Sequence, residues 1–289
     1  MMCMRRWKFF LPALLALAGC EKNIDIELDE TTPRLVVEAT IENNVKPRVT
    51  LTRSLDYFSQ ITPQMLIGSF VRGARVVVSE AGRDYTLRED SFRVNNISLY
   101  FYTTDSLLGK LNTNYQLRID ADGKSYTATT GIPNITRQID SLWWEKAPGF
   151  TDTTYVRMMI RATDRPGFGD YIRYFTKTNN EPFFPGFNSV FDDQVIDGKT
   201  YTIQVDRGVN KNADNSDTSL YFRRGDTATL KLANIDRATW DFWRTYEFNF
   251  QSIGNPFSSP TKVINNVSNG ALGYFGGYAA QYRTLIIPK

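Results

Sequence analysis

Cys20 closes the run Leu17-Ala18-Gly19-Cys20, and this setting, more than the thiol itself, implies chemistry. Arg5, Arg6 and Lys8 form a basic head. Phe9 to Ala18 form an apolar stretch broken only by Pro12, and Ala18-Gly19 is a small pair suited to cleavage. That is the layout of a secretory signal peptide over residues 1–19, and it is too short for a membrane-spanning helix. A Cys directly after the small pair makes it a bacterial lipoprotein signal. The sulfur receives a diacylglyceryl group, the chain is cut before Cys20, and the new amine is acylated. The alternative is an ordinary signal followed by a buried cysteine. Under the lipoprotein reading Cys3 leaves with the signal, and no pair of thiols remains for a disulfide.

The other chemistry-bearing residues are sparse. The chain has no histidine, which removes Ser-His-Asp and Cys-His nucleophile systems and imidazole-based metal sites. Acid–base chemistry would rest on carboxylates, as in glycosidase pairs. Glu145, Asp164, Asp192 and Asp193 are the candidates, but isolated acids in loops are solvated or turn-forming, so no enzyme, catalytic residue or cofactor is expected. Asn210, Asn212, Asp214 and Asp217 are hard oxygen ligands in one polar stretch. They miss the Asp-x-Asp-x-Asp-Gly order and the closing Glu of a calcium loop, so a solvated loop is expected and no metal. Gly270, Gly273, Gly276 and Gly277 fall within eight positions without the pattern of a phosphate-binding loop. They point to tight turns or close backbone approach in a sheet.

These residues need elements to hold them. The whole chain carries 34 basic and 31 acidic residues. Loss of Arg5, Arg6 and Lys8 with the signal brings the 34 down to 31, so the mature chain balances and nucleic-acid binding has no electrostatic support. Residues 20–33 carry Glu21, Asp25, Glu27, Asp29 and Glu30 against Lys22. They read as an acidic tether, with Ile24, Ile26 and Leu28 able to add an edge strand and the acids able to serve in outer-membrane sorting.

From residue 34 the apolar pattern has period two. Leu35, Val37, Ala39 and Ile41 alternate with polar residues, Asn43-Asn44 turns the chain, and Val49 and Leu51 continue a hairpin. Strands follow around Val76–Val78, Tyr85–Leu87, Leu99–Tyr102, Tyr115–Ile119 and Tyr126–Ala128, and residues 53–72 read as a long connection. The expected fold is mainly β: an immunoglobulin-like β-sandwich over 34–131, then a second β-rich domain over 134–289. In the second domain strands are expected at Ile139–Trp144, Val156–Ala162, Tyr171–Thr178, Tyr201–Val205, Leu220–Phe222, Ala228–Leu232 and Thr284–Ile287. Residues 179–199 read as a long loop. Its Phe183, Phe184, Phe187 and Phe191 either stack on sugars or a partner barrel, or fill a satellite apolar cluster. One helix is expected at about 236–250, capped by Asn234 or Asp236, with Trp240, Trp243, Glu247 and Phe250 on one face packed on a sheet.

Cys20-Glu21-Lys22, Leu35-Val36-Val37-Glu38, Gly73-Ala74-Arg75-Val76 and the closing run from Asn266 to Tyr278 together resemble the Bacteroidota lipoproteins grouped as domain of unknown function 4249. The resemblance covers nearly all of the mature chain. It implies an outer-membrane lipoprotein, often encoded beside a TonB-dependent receptor, with no established enzymatic activity. Only the lipidated cysteine transfers, onto Cys20. The expectation is a lipid-anchored, non-catalytic binding or accessory module of a TonB-dependent transporter. The alternative is a structural or adhesive surface lipoprotein. Triple acylation would hold either one firmly to the membrane.

Overall fold

The alternation that begins at residue 35 becomes strand β1 (Leu35–Glu42), whose Leu35, Val37, Ala39 and Ile41 are buried. The computed structural model describes residues 32–55, 61–94, 97–210 and 217–289, apart from 254, 256, 258 and 260. The expected signal peptide, Cys20 and most of the expected tether therefore lie outside the described residues. Asn44, at φ +62°, turns β1 back into β2 (Arg48–Arg53), a conformation that Asn tolerates better than most residues.

The stretch expected as a plain connection holds a short helix, α1 (Pro63–Ser69). Thr62 caps it by accepting from the Met65 N–H at 3.2 Å, and Pro63 stands where a missing N–H costs nothing. Then come β3 (Arg75–Glu80), β4 (Arg83–Val94), β5 (Ile97–Thr103), β6 (Thr113–Ala121) and β7 (Lys124–Ile132). The second half contains β8 (Gln138–Lys146), β9 (Tyr155–Thr163), β10 (Tyr171–Thr178), β11 (Phe184–Asp192), β12 (Thr200–Val205), β13 (Phe222–Arg223) and β14 (Thr227–Ile235). Helix α2 (Arg237–Ser252) and strand β15 (Leu272–Ile286) complete it.

Among the described residues the fold is mainly β and sandwich-like, with two α-helices where one was expected. An 11-stranded sheet runs β11-β10-β14-β15-β1-β2-β5-β4-β3-β6-β7, and β8, β9, β12 and β13 form a second sheet of 4 strands. The expected loop over 179–199 contains β11. Pro185 and Gly186 hide it in the sequence, but β11 is the edge of its sheet, where a residue without an N–H is tolerated.

The last strand joins the two halves. β15 pairs parallel with β1 over 272–278 and antiparallel with β14 over 278–286. Its glycines permit this. A Cβ on Gly273, at φ +100°, would stand 1.9 Å from the Val37 carbonyl oxygen, and one on Gly277 would stand 2.3 Å from that of Gly131. Before β14 arrives, the free edge of β15 is satisfied by side chains. Asn266 Oδ1 accepts from the Phe275 N–H at 2.9 Å and Asn266 Nδ2 donates to the Phe275 carbonyl at 2.8 Å. Thr130 Oγ1 accepts from the Gly277 N–H at 2.7 Å, so β7 lies against β15. Buried backbone groups left unpaired there would be costly.

Residues 33–289 form one compact unit, and the stretch 131–134, where a domain boundary was expected, covers the end of β7 and the start of the link to β8. Its apolar residues gather in three places. The first-half strands enclose Val37, Leu51, Val76, Leu117 and Ile119 together with Phe275 of β15. Between the two sheets of the second half lie Met158, Ile160, Ile172, Leu230 and Phe222. The third cluster, Ile235, Phe242, Tyr274 and Tyr278, glues α2 to β14 and β15. Each fully buried side chain of this size contributes roughly 1.5–3 kcal/mol.

Candidate functional site

Asp236 fixes where α2 begins, and α2 separates two clefts. The Asp236 carboxylate accepts from the Thr239 N–H at 2.8 Å through Oδ1. Through Oδ2 it accepts from Thr130 Oγ at 2.7 Å and the Gly131 N–H at 2.9 Å. One side chain thus caps the helix and ties it to β7. The aromatic stripe divides at this helix: Trp240 and Arg244 line one cleft, and Trp243 and Tyr246 line the other.

The first cleft, about 670 Å³, opens between β9 and β12 on one side and β10, β11 and β14 on the other. Ile160, Ile172, Leu230 and Leu232 form its apolar interior. Phe191 stacks on Tyr174 with ring centroids 6.1 Å apart, Tyr171 packs on Trp240 at 4.9 Å, and the Arg244 guanidinium lies 4.7 Å over Trp240. Burial pushes the Tyr174 hydroxyl far above its ordinary pKa, so it stays protonated. Val195 (79 % exposed) and Ile203 (45 %) leave apolar surface at the mouth. Asn188, Asp192, Gln204 and Asp206 supply the polar groups. An apolar pocket with a few polar anchors is the usual make-up of a small-molecule site.

The second cleft, about 470 Å³, is occupied by charges that satisfy one another. Arg173, 3 % exposed, donates from Nε to Ser189 Oγ at 3.1 Å and from Nη1 to Tyr278 Oη at 3.1 Å. Its guanidinium lies 3.4 Å over the Trp243 ring, a cation–π contact strengthened by desolvation. Buried Glu247 accepts from the Ser189 N–H at 2.9 Å and from Ser189 Oγ at 2.6 Å, so Ser189 relays between cation and anion. Glu42 pairs with Lys231 and accepts from Tyr282. Burial, and after it the Glu42 hydrogen bond, pushes the Tyr282 hydroxyl up. This cleft is a polar core near the surface, with little free bonding capacity to offer a ligand.

The phenylalanines expected in one loop are shared between the two clefts. Phe183 and Phe184 line the second, Phe191 the first, and Phe187 is 42 % exposed on β11. The candidate acids also part company. Glu145 accepts from Trp143 Nε1 at 2.9 Å and from Arg157 Nη2 at 2.6 Å, and those two contacts hold its carboxyl below the usual range. Asp192 accepts weakly from the Gln194 N–H, 3.4 Å away. Asp164 and Asp193 do come together, joined by Asp170, which sequence reasoning passed over. One oxygen from each of the three lies within 4.8 Å of the others. Asp164 is fully buried against Arg137, so these acids leave no room for a sugar ring between them. Of the polar stretch Asn210, Asn212, Asp214 and Asp217, expected as a solvated loop, Asn210 lines the second cleft. Residues 211–216 and the side chain of Asp217 lie outside the described residues.

No curated protein sequence matches this chain. The profile of the family described as Domain of unknown function (DUF4249) matches residues 21–284, nearly the whole chain, and the chain belongs to that family.

Proposed function

We propose that this protein is a non-catalytic binding module, anchored to the outer membrane through lipid on Cys20, that serves a TonB-dependent transporter. The observation that carries the binding reading is the first cleft. Its 670 Å³ volume suits a small organic molecule, and its apolar interior, stacked aromatics and few polar groups suit one that is largely apolar or flat. The non-catalytic reading is supported by where the candidate acids sit: Glu145 is held by Arg157 and Trp143, and Asp164 is sealed against Arg137. Lipidation rests on the signal layout around Cys20, and the transporter partner rests on the family resemblance.

The test is a mild-detergent pull-down of the tagged, lipidated chain from its native outer membrane. A TonB-dependent receptor recovered in stoichiometric amount supports the accessory role. Recovery of the lipoprotein alone, from a membrane where the receptor is present, moves the reading to a structural or adhesive surface protein. A Cys20→Ala variant should leave the membrane fraction, and its retention there would end the lipid-anchor reading.

A further inference from the structure

Two loops meet at the edge of the first cleft. One runs from Asp164 to Asp170 between β9 and β10, and the other covers 192–199 between β11 and β12 and supplies Val195 and Ile196 to the cleft. They are stitched by backbone bonds: Asp193 Oδ2 accepts from the N–H groups of Gly169 at 2.8 Å and Asp170 at 2.9 Å, and Asp197 Oδ1 accepts from that of Gly167 at 2.6 Å. The Asp164 N–H donates to the Lys199 carbonyl at 3.1 Å. At their meeting point the carboxylates of Asp164, Asp170 and Asp193 converge, two buried and one half-buried.

A second observation marks this cluster out. Asp164 is 2 % exposed; its Oδ1 takes Arg137 Nε at 3.1 Å, while its Oδ2 has neither solvent nor a hydrogen-bond partner. Besides the attraction of Arg137, the Asp170 and Asp193 carboxylates, both of its own sign, act on Asp164. Three carboxylates against one guanidinium leave two negative charges in a poorly solvated place, an arrangement that is expensive unless something neutralises it.

We propose that Asp164, Asp170 and Asp193 bind a hard divalent cation, Ca²⁺ by size, that pins the 192–199 loop at the edge of the first cleft. Two positive charges balance the cluster with Arg137 included. The orphan Oδ2 of Asp164 gains the partner it lacks. Carboxylate oxygens all within 4.8 Å of one another can share one cation, and Ca²⁺, with flexible geometry and ligands at about 2.3–2.6 Å, suits such a set better than Mg²⁺, which demands near-ideal octahedral geometry at about 2.0–2.1 Å. All three ligands are carboxylates, the donor class of hard cations.

The full-length lipidated protein, held in detergent, stripped with a chelator and dialysed, is titrated with Ca²⁺ alone by calorimetry and scanned for its melting temperature. One saturable site and a rise in Tm are expected, with Mg²⁺ weaker. Asp170→Asn should weaken Ca²⁺ binding at least tenfold while leaving the chelator-treated Tm near wild type, because Asp170 is the half-buried member. Asp193→Asn should weaken it likewise. Lack of saturable binding up to about 1 mM Ca²⁺, the weak end for extracellular modules, overturns the site. Wild-type affinity in both variants also overturns it, since the ion would then sit elsewhere, for example on the acidic stretch after Cys20. Neither result bears on whether a transporter is recovered in the pull-down.

Discussion

Replacing Asp236 by Ala tests how one carboxylate holds the helix between the clefts. The lost N-cap to Thr239 costs about 1 kcal/mol. Oδ2 also receives two hydrogen bonds, from Thr130 and Gly131, each worth roughly 1.5–3 kcal/mol to a shielded charged acceptor. Asp236 is only half-buried, so water replaces part of that contribution and the lower end applies. The sum is about 4 kcal/mol, which at ~2–4 °C per kcal/mol for a domain of this size lowers Tm by roughly 8–16 °C. Asp236→Asn keeps the cap acceptor but turns an NH₂ toward Thr130 and Gly131, so it should fall between wild type and Ala. Chemical denaturation monitored by tryptophan fluorescence reads the loss, and hydrogen exchange at the β7 amides locates it. A change below about 0.5 kcal/mol, the usual range for an idle surface site, would refute the clamp. So would a loss confined to α2 with β7 still protected.

Further outcomes follow from other residues. Gly273→Ala puts a methyl group 1.9 Å from the Val37 carbonyl at a φ of +100°. It should prevent β15 from pairing with β1 and yield insoluble or molten protein, and a soluble variant with wild-type circular dichroism and Tm would contradict the close approach. Glu89 has a carboxyl held below its ordinary pKa, first by the Gly73 N–H at 3.0 Å; desolvation opposes this as the next largest effect, and Arg72 at 2.8 Å adds to the lowering. A depressed folded pKa means that this contribution is complete above the unfolded value, about 4.3, and fades as pH falls through the folded one. Glu89→Gln should therefore flatten the acid side of the stability curve below about pH 4.3. An unchanged acid limb would show that the contact contributes nothing.

The strands facing a core were legible because alternation survives where one face is buried. Leu35-Val37-Ala39-Ile41 and Tyr115-Leu117-Ile119 show it directly, and Asn44 and Asp122 mark their turns by residue type. Asp236 announced α2 through its capping chemistry. β11 was not legible, because Pro185, Gly186 and Asn188 read as loop residues, and only the fold reveals that they sit on an edge. α1 was passed over because about two turns over 7 residues carry little periodic signal. The relation of the clefts to α2 was hidden for a different reason: Trp240 and Trp243 look alike on a helical wheel, and it is Arg173, on a distant strand, that separates their roles. Asp170 had a weak local signal in Asp164-Arg165-Pro166-Gly167-Phe168-Gly169-Asp170, a turn with acids at both ends. Its partner Asp193 lies beyond a whole hairpin, so no spacing rule brings them together.

The central proposal is that the first cleft holds a small molecule, and native mass spectrometry of the protein purified from its native cells addresses it most directly. The wild type is compared with Gln204→Trp, in which a half-buried wall residue is enlarged to fill the cleft. A bound mass on the wild type that is absent from the filled variant is the predicted result. The same bound mass on both, or none on either, would contradict it.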